Sequence, residues 1–455
     1  MMFESRNPAT GELIEVFDLL SDAQLEARLE QSRVASLAWR GSDNSERAAL
    51  LRRIAAVLTT RRESLARTIS LEMGKLLPEA LGEVDKCAQC CEHYAEHAAA
   101  MLQDEMIPTH ARRSLVSFEP LGTILAVMPW NFPLWQVFRF LAPTLMAGNT
   151  ALLKHAPNVS RCALLVEDIL REAGAAEGLF GTLLISVEQT AAVIADGRVH
   201  GVAFTGSEAT GRKIAAMAGQ SLKKVVLELG GSDPFIVLED ADLDQAVEFA
   251  MKLRFGNAGQ ICIAAKRFIL TPAIADAFVE RMQARVAQLQ TGDPLQAGTS
   301  LAPMAREDLR SGLQRQVEAA IAGGAKLLTG GAVQEGPGWF YQPSVLDNVK
   351  PGNMAFDEEL FGPVASIVRA ADVEDAIRLA NATRFGLGAS IWTADSERGE
   401  AIARRLEAGA CFVNAPVASD VRMPFGGTKA SGLGRELASY GIREFCNIKS
   451  LWIAD

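Results

Sequence analysis

Between residues 122 and 229 five short apolar runs rich in β-branched residues alternate with four stretches that have helical spacing of apolar positions. The runs are 122–128, 150–154, 181–185, 202–205 and 225–229, with helical stretches at 134–146, 160–173, 190–195 and 208–218 between them. A run that is apolar at consecutive positions, rather than at alternate ones, belongs to a strand covered on both faces. Helices between such strands act as crossovers and make the strands parallel. The pattern therefore predicts an α/β fold with a doubly wound sheet, and such sheets bind nucleotides at the carboxyl ends of their strands.

One sheet does not use up 455 residues, a length that calls for more than one core. From 230 to about 414 a second strand–helix series runs through 235–238, a helix from Asp242, 267–270, a helix from Ile274, and units near Ala325 and Ser366. The N-terminal part reads as helices over 22–39 and 45–73, with a third after Pro78. Two β-rich pieces, 114–119 and 445–453, stand apart from both series and need an edge to pair with.

Charge and cysteine usage exclude several classes. The net charge of −10, without a basic stripe, speaks against nucleic acid as a partner. The uncharged stretch 120–138 is long enough to span a bilayer, but Pro129, Asn131 and Pro133 interrupt it, so it reads as strand, turn and helix start. Residues 1–12 carry Glu4, Arg6 and Glu12 and no apolar segment, so neither a secretory signal nor membrane attachment is expected. Seven cysteines, an odd number, point to reduced thiols and a cytoplasmic setting. Cys87, Cys90 and Cys91, with His93 nearby, have metal-like spacing. They fall within a predicted helix without a second ligand pair, and read as small buried residues with no metal.

The generic glycine-rich phosphate motifs are missing. Phe204-Thr205-Gly206-Ser207 ends a predicted strand and opens a helix, which suits either a bound phosphate or a plain Ser207 helix cap. Four more segments bear on that choice: Met128-Pro129-Trp130-Asn131-Phe132-Pro133, Leu227-Glu228-Leu229-Gly230-Gly231, Gly259-Gln260-Ile261-Cys262 and Glu359-Leu360-Phe361-Gly362-Pro363. In these, and from Asn7-Pro8-Ala9-Thr10-Gly11-Glu12 to Ser431-Gly432-Leu433-Gly434-Arg435-Glu436, the chain resembles the NAD(P)-dependent aldehyde dehydrogenases. Over 131–139 it is most similar to the bacterial succinate-semialdehyde dehydrogenases. The resemblance implies a Rossmann-type cofactor domain (1–103 and 121–228), a catalytic α/β domain (229–424) and a β oligomerisation arm (104–120 and 425–455). It also implies a homodimer or homotetramer, NAD or NADP as cofactor, and a small aldehyde as substrate.

The same resemblance assigns roles that the residue types can carry. Cys262 is the nucleophile, forming a thiohemiacetal and then a thioester, because a thiolate is the strongest side-chain nucleophile near neutral pH. The glycine approach after Asn257 reads as an exposed turn. Asn131 and the Cys262 backbone N–H receive the oxyanion, and Asn131 also suits a helix cap before Pro133. Glu228 is the base for water; it follows Val225, Val226 and Leu227, where desolvation raises a carboxyl pKa.

For the cofactor, Lys154, followed by His155, Ala156 and Pro157, faces the adenine ribose, and Gly206 and Ser207 face the pyrophosphate. Glu359 faces the nicotinamide ribose, with Phe361, Leu229, Trp130 and Asn131 around the ring. Pro157 stands where many NAD-preferring relatives carry an acidic residue, so a 2′-phosphate meets no repulsion and NADP is accepted.

For the substrate, Trp135 and Arg139 share a helix face at i,i+4 spacing, where Arg139 can hold a distal carboxylate with Ser419 as a second anchor. Arg139 pairing with an acidic neighbour stays open as the alternative. Other readings of the whole chain are a dehydrogenase for another short or medium aldehyde, a thiol-dependent esterase or acyl-transferase, and a non-catalytic structural protein of the same fold.

Overall fold

The computed structural model describes residues 2–454, so the ends of the expected ranges at Met1 and Asp455 lie outside the described residues. A six-stranded sheet has the order Gly432–Leu433, Lys224–Glu228, Val199–Thr205, Thr123–Met128, Thr150–His155, Phe180–Thr182. All neighbours are parallel except the first pair. The apolar runs are continuous because both faces are covered: Ile124, Ala126 and Met128 enter one core, and Leu125 enters the other. The run expected at 181–185 is a strand only over Phe180–Thr182.

Chain order sets the place of the crevice. Thr123–Met128 lies between Thr150–His155, the next strand in the chain, and Val199–Thr205, which arrives later from the other side. The winding reverses there, so the loops leaving Met128 and Thr205 diverge and open a crevice at the carboxyl edge.

A seven-stranded sheet carries the second series: Lys326–Thr329, Ser344–Asp347, Val364–Arg369, Ala265–Leu270, Asp233–Val237, Gly388–Trp392 and Ala410–Val413, parallel except for the first pair. The two pieces that needed an edge use each other. Cys446–Ile453 pairs antiparallel with Arg113–Pro120, and Glu105–Met106 completes a three-stranded sheet. Gly432–Leu433, expected with the arm, instead pairs with the end of Lys224–Glu228.

Two helical features differ from expectation. The stretch 45–73 is two helices, Asn44–Thr60 and Arg62–Met73, broken at Arg61, and both pack on the helix Leu77–Met101. An N-terminal hairpin, Met2–Arg6 with Leu13–Asp18, was not anticipated. Among the described residues no helix is long and apolar enough to cross a membrane.

Candidate active site

The loop after Met128 turns into the helix Trp135–Met146, whose first N–H groups lack intrahelical acceptors. Glu83 supplies one: its Oε1 accepts from the N–H groups of Leu134 and Trp135 at 2.8 and 3.0 Å. Lys75 balances the Glu83 charge in an ion pair buried on both sides. Asn131 is therefore not the cap. Its Nδ2 donates to the Gln260 carbonyl at 3.0 Å, and Asn257 Nδ2 donates to the Asn131 carbonyl at 3.0 Å. A carboxamide carries two N–H groups, so one is left uncommitted, and Asn131 and Cys262 line the same cavity.

His155 does not face the crevice as expected of a cofactor contact. Its Nδ1 accepts from the Ala156 N–H and its Nε2 donates to the Pro133 carbonyl, both at 2.8 Å. Burial lowers its pKa to about 4, which keeps the ring neutral as it holds the Asn131 loop.

The Cys262 loop departs from the helix Leu243–Phe255 through three left-handed residues, Asn257 (φ 49°), Ala258 (φ 52°) and Gly259 (φ 73°). Only glycine fits the last, since a Cβ there would stand 2.3 Å from the Gly362 carbonyl oxygen. Lys266 Nζ donates to the carbonyls of Ile261 (3.1 Å) and Cys262 (2.5 Å) and pairs with Glu359 Oε1 at 3.0 Å. Cys262 is accordingly half-buried, not on an exposed turn. Burial pushes its thiol up to about 11, against the nearby positive charges of Arg139 and Lys266.

Two cavities meet at this cysteine. One, of about 230 Å³, lies at the carboxyl edge and is lined by Trp130, Asn131, Gly206, Ser207, Glu228, Leu229, Glu359 and Phe361. The other, of about 210 Å³, is lined by Lys86, Trp135, Arg139, Ser419 and Phe425 among others. Cys262 and Gln136 border both. In the first, Trp130 and Phe361 meet edge to face at 5.8 Å. Ser207 caps the helix Glu208–Gln220, accepting from the Thr210 N–H at 3.4 Å; capping and a phosphate contact are compatible. Lys154, Ala156 and Pro157 sit at the end of Thr150–His155, beside this cavity rather than in its wall. Lys154 has no ion-pair partner among the described residues, and burial lowers its pKa.

Glu228 ends its strand in a buried position, and among the described residues neither carboxyl oxygen has a hydrogen-bond partner. Burial, reinforced by the charge of Glu436, pushes its carboxyl well above the usual range. Arg139 meets the alternative left open for it: it is buried and ion-paired with Glu436.

Sequence reasoning missed Glu83, Lys75, Asn257 and Lys266. For Lys266 a signal existed. Lys266 and Arg267 are two charges inside an otherwise apolar strand run, and buried charges need partners.

A half-buried thiol thus stands between two cavities, one of them at the switch point of a doubly wound sheet. The chain matches the aldehyde dehydrogenase family over residues 1–451 and belongs to it. It is 48% identical to the NAD(P)+ succinate semialdehyde dehydrogenase of Escherichia coli, covering 98% of this chain and 97% of that one. It is 46% identical to the NADP(+) succinate-semialdehyde dehydrogenase 1 of Mycobacterium tuberculosis, covering 98% and 99%. The crystal structure of succinic semialdehyde dehydrogenase from Streptococcus pyogenes with NADP+ superimposes with a TM-score of 0.98, at 38% identity and full coverage of both chains.

Proposed function

We propose that this chain oxidises succinic semialdehyde to succinate, with NADP+ or NAD+ as acceptor, through an acyl adduct on Cys262. The observation that carries the reading is the position of Cys262 between two cavities, with Asn131 and Glu228 in the same wall. The names of the close relatives supply the substrate and the cofactor.

The crevice suits a dinucleotide. It lies at a topological switch point, next to a helix start at Ser207 whose first N–H groups lack intrahelical acceptors. Lys154, without a carboxylate partner among the described residues, and Pro157, without a charge, suit a ribose that carries a 2′-phosphate.

Cys262 attacks the aldehyde carbon as the thiolate, its thiol proton passing to water, and the oxygen takes up negative charge opposite the second Asn131 N–H and the Cys262 backbone N–H. One such donor is worth about 3 kcal/mol, or a few hundredfold in rate. The bound nicotinamide supplies the acceptor for the hydride lost from that carbon. Cys262 is then acylated. Glu228 takes a proton from water, the oxygen adds to the acyl carbon, the C–S bond breaks, the proton held by Glu228 passes to the leaving sulfur, and succinate leaves with the thiol restored.

The division into cofactor, catalytic and arm segments belongs to the same proposal, supported by the ranges of the six-, seven- and three-stranded sheets except at Gly432–Leu433, which joins the six-stranded one. So does assembly into a homodimer or homotetramer, supported by the exposed Met106, Ile448 and Trp452 on the three-stranded sheet. A cytoplasmic setting accords with seven free cysteines. The reading is tested by the initial rate of reduced-cofactor formation with succinic semialdehyde and with butanal, using each dinucleotide. Preference for butanal, or no turnover with either aldehyde, contradicts it.

A further inference from the structure

The cavity on the far side of Cys262 from the cofactor crevice is walled largely by apolar groups, including Phe132, Ile261, Ile263 and Phe425. Four charged side chains border it: Glu79, Glu83, Lys86 and Arg139. Three are already committed. Glu79 accepts the Asn257 N–H at 3.0 Å, Glu83 caps the helix at Leu134 and pairs with Lys75, and Arg139 pairs with Glu436. Arg139 is further held by stacking on Phe425 and by a 3.5 Å contact with Thr205 Oγ1.

Lys86 is different. Among the described residues it has no carboxylate within ion-pair distance. Its Nζ donates to Ser419 Oγ at 2.7 Å and stands 4.2 Å from the centre of the Trp135 ring. An ammonium has three N–H groups, and Ser419 takes one. The position follows from the sequence: Glu79, Gly82, Glu83 and Lys86 repeat at i, i+3, i+4, i+7 along Leu77–Met101 and so share one face. Gly82 carries no side chain to fill the space before Lys86.

We infer that Lys86, held by Ser419 against the face of Trp135, is the cation that receives the distal carboxylate of an ω-carboxy aldehyde. A half-buried ammonium without a counter-ion among the described residues recovers only part of its lost hydration from Ser419 and the Trp135 ring, and an incoming carboxylate supplies a charge-assisted hydrogen bond to the remaining N–H groups. Burial, with Arg139 adding like charge, already lowers the Lys86 pKa to about 8. Trp135 and Ser419, expected as substrate contacts, orient this ammonium, whereas the charge of Arg139 is spent on Glu436. The inference rests on the proposed function and deepens it.

The test compares wild type with Lys86→Met and Lys86→Arg, using succinic semialdehyde and butanal. Lys86→Met keeps the apolar stem and removes only the charge. It is expected to lower kcat/KM for succinic semialdehyde by about tenfold to a hundredfold, mostly through KM, while butanal changes by less than about twofold. Lys86→Arg is expected to recover most of the loss. Succinate, added alone, should slow alkylation of Cys262 by iodoacetamide in wild type and not in Lys86→Met. Equal effects on both aldehydes, or none on either, with succinate protection kept, would overturn the role of Lys86. A wild type that does not prefer succinic semialdehyde would instead overturn the proposed function, whatever the variants do. If Lys86→Met fails to fold, Lys86→Gln and Ser419→Ala decide: unchanged KM for succinic semialdehyde and unchanged succinate protection in both contradict the inference.

Discussion

Arg139 and Glu436 form an ion pair from which water is almost entirely excluded: their side chains are 2% and 8% exposed. The pair joins the helix Trp135–Met146 to the C-terminal segment beside Glu228, and the Arg139 guanidinium lies 4.8 Å from the centre of the Phe425 ring. Removing one partner leaves the other charge buried and alone, which costs more than the pair itself contributes.

Arg139→Met is therefore expected to lower stability by about 3–5 kcal/mol, read as a drop in Tm, and to impair both aldehydes alike. A loss confined to succinic semialdehyde, with Tm unchanged, would return Arg139 to the role of carboxylate anchor.

The Cys262 thiol gives a second expectation. Burial pushes its pKa up to about 11, so at neutral pH only a small fraction is thiolate, the reactive form. In the enzyme without cofactor, alkylation by iodoacetamide should accelerate about tenfold per pH unit through the neutral range, without a plateau below about pH 10. A plateau near neutrality would mean a thiol pKa far below the value its burial gives.

Assembly gives a third. Cys446–Ile453 is an edge strand, hydrogen-bonded to Arg113–Pro120 on one side only, with Ile448 and Trp452 exposed. An open, apolar edge invites pairing with a second copy. Light scattering at micromolar concentration should give a dimer or tetramer, and truncation after Phe445 should shift it toward the monomer. A monomeric wild type would contradict the reading.

What the sequence made legible divides along physical lines. Strands 123–128 and 199–205 could be read because two covered faces make a run continuously apolar, a signal contained within one segment. The hairpin at Met2–Arg6 escaped because its strands are mostly exposed and carry Glu4, Arg6 and Glu15, which read as loop. The break at Arg61 has no Gly or Pro to announce it. Cys262, Glu228 and Asn131 stand in short motifs, so they could be nominated from sequence. Their supports could not: Glu83 reaches Leu134 across 51 positions and Asn131 reaches Gln260 across 129. For Arg139 the sequence left both a carboxylate anchor and an ion pair open, because its acidic partner, Glu436, arrives from almost 300 residues away.

The central claim is that chemistry passes through an acyl group on Cys262, released by Glu228. The most direct measurement uses Glu228→Gln, mixed with succinic semialdehyde and NADP+, quenched in acid and analysed by peptide mass spectrometry alongside the yield of reduced cofactor. The account predicts one equivalent of reduced cofactor per site, little further turnover, and a succinyl group on the peptide that contains Cys262. Full turnover without an adduct, or a succinyl group on a different residue, would contradict it.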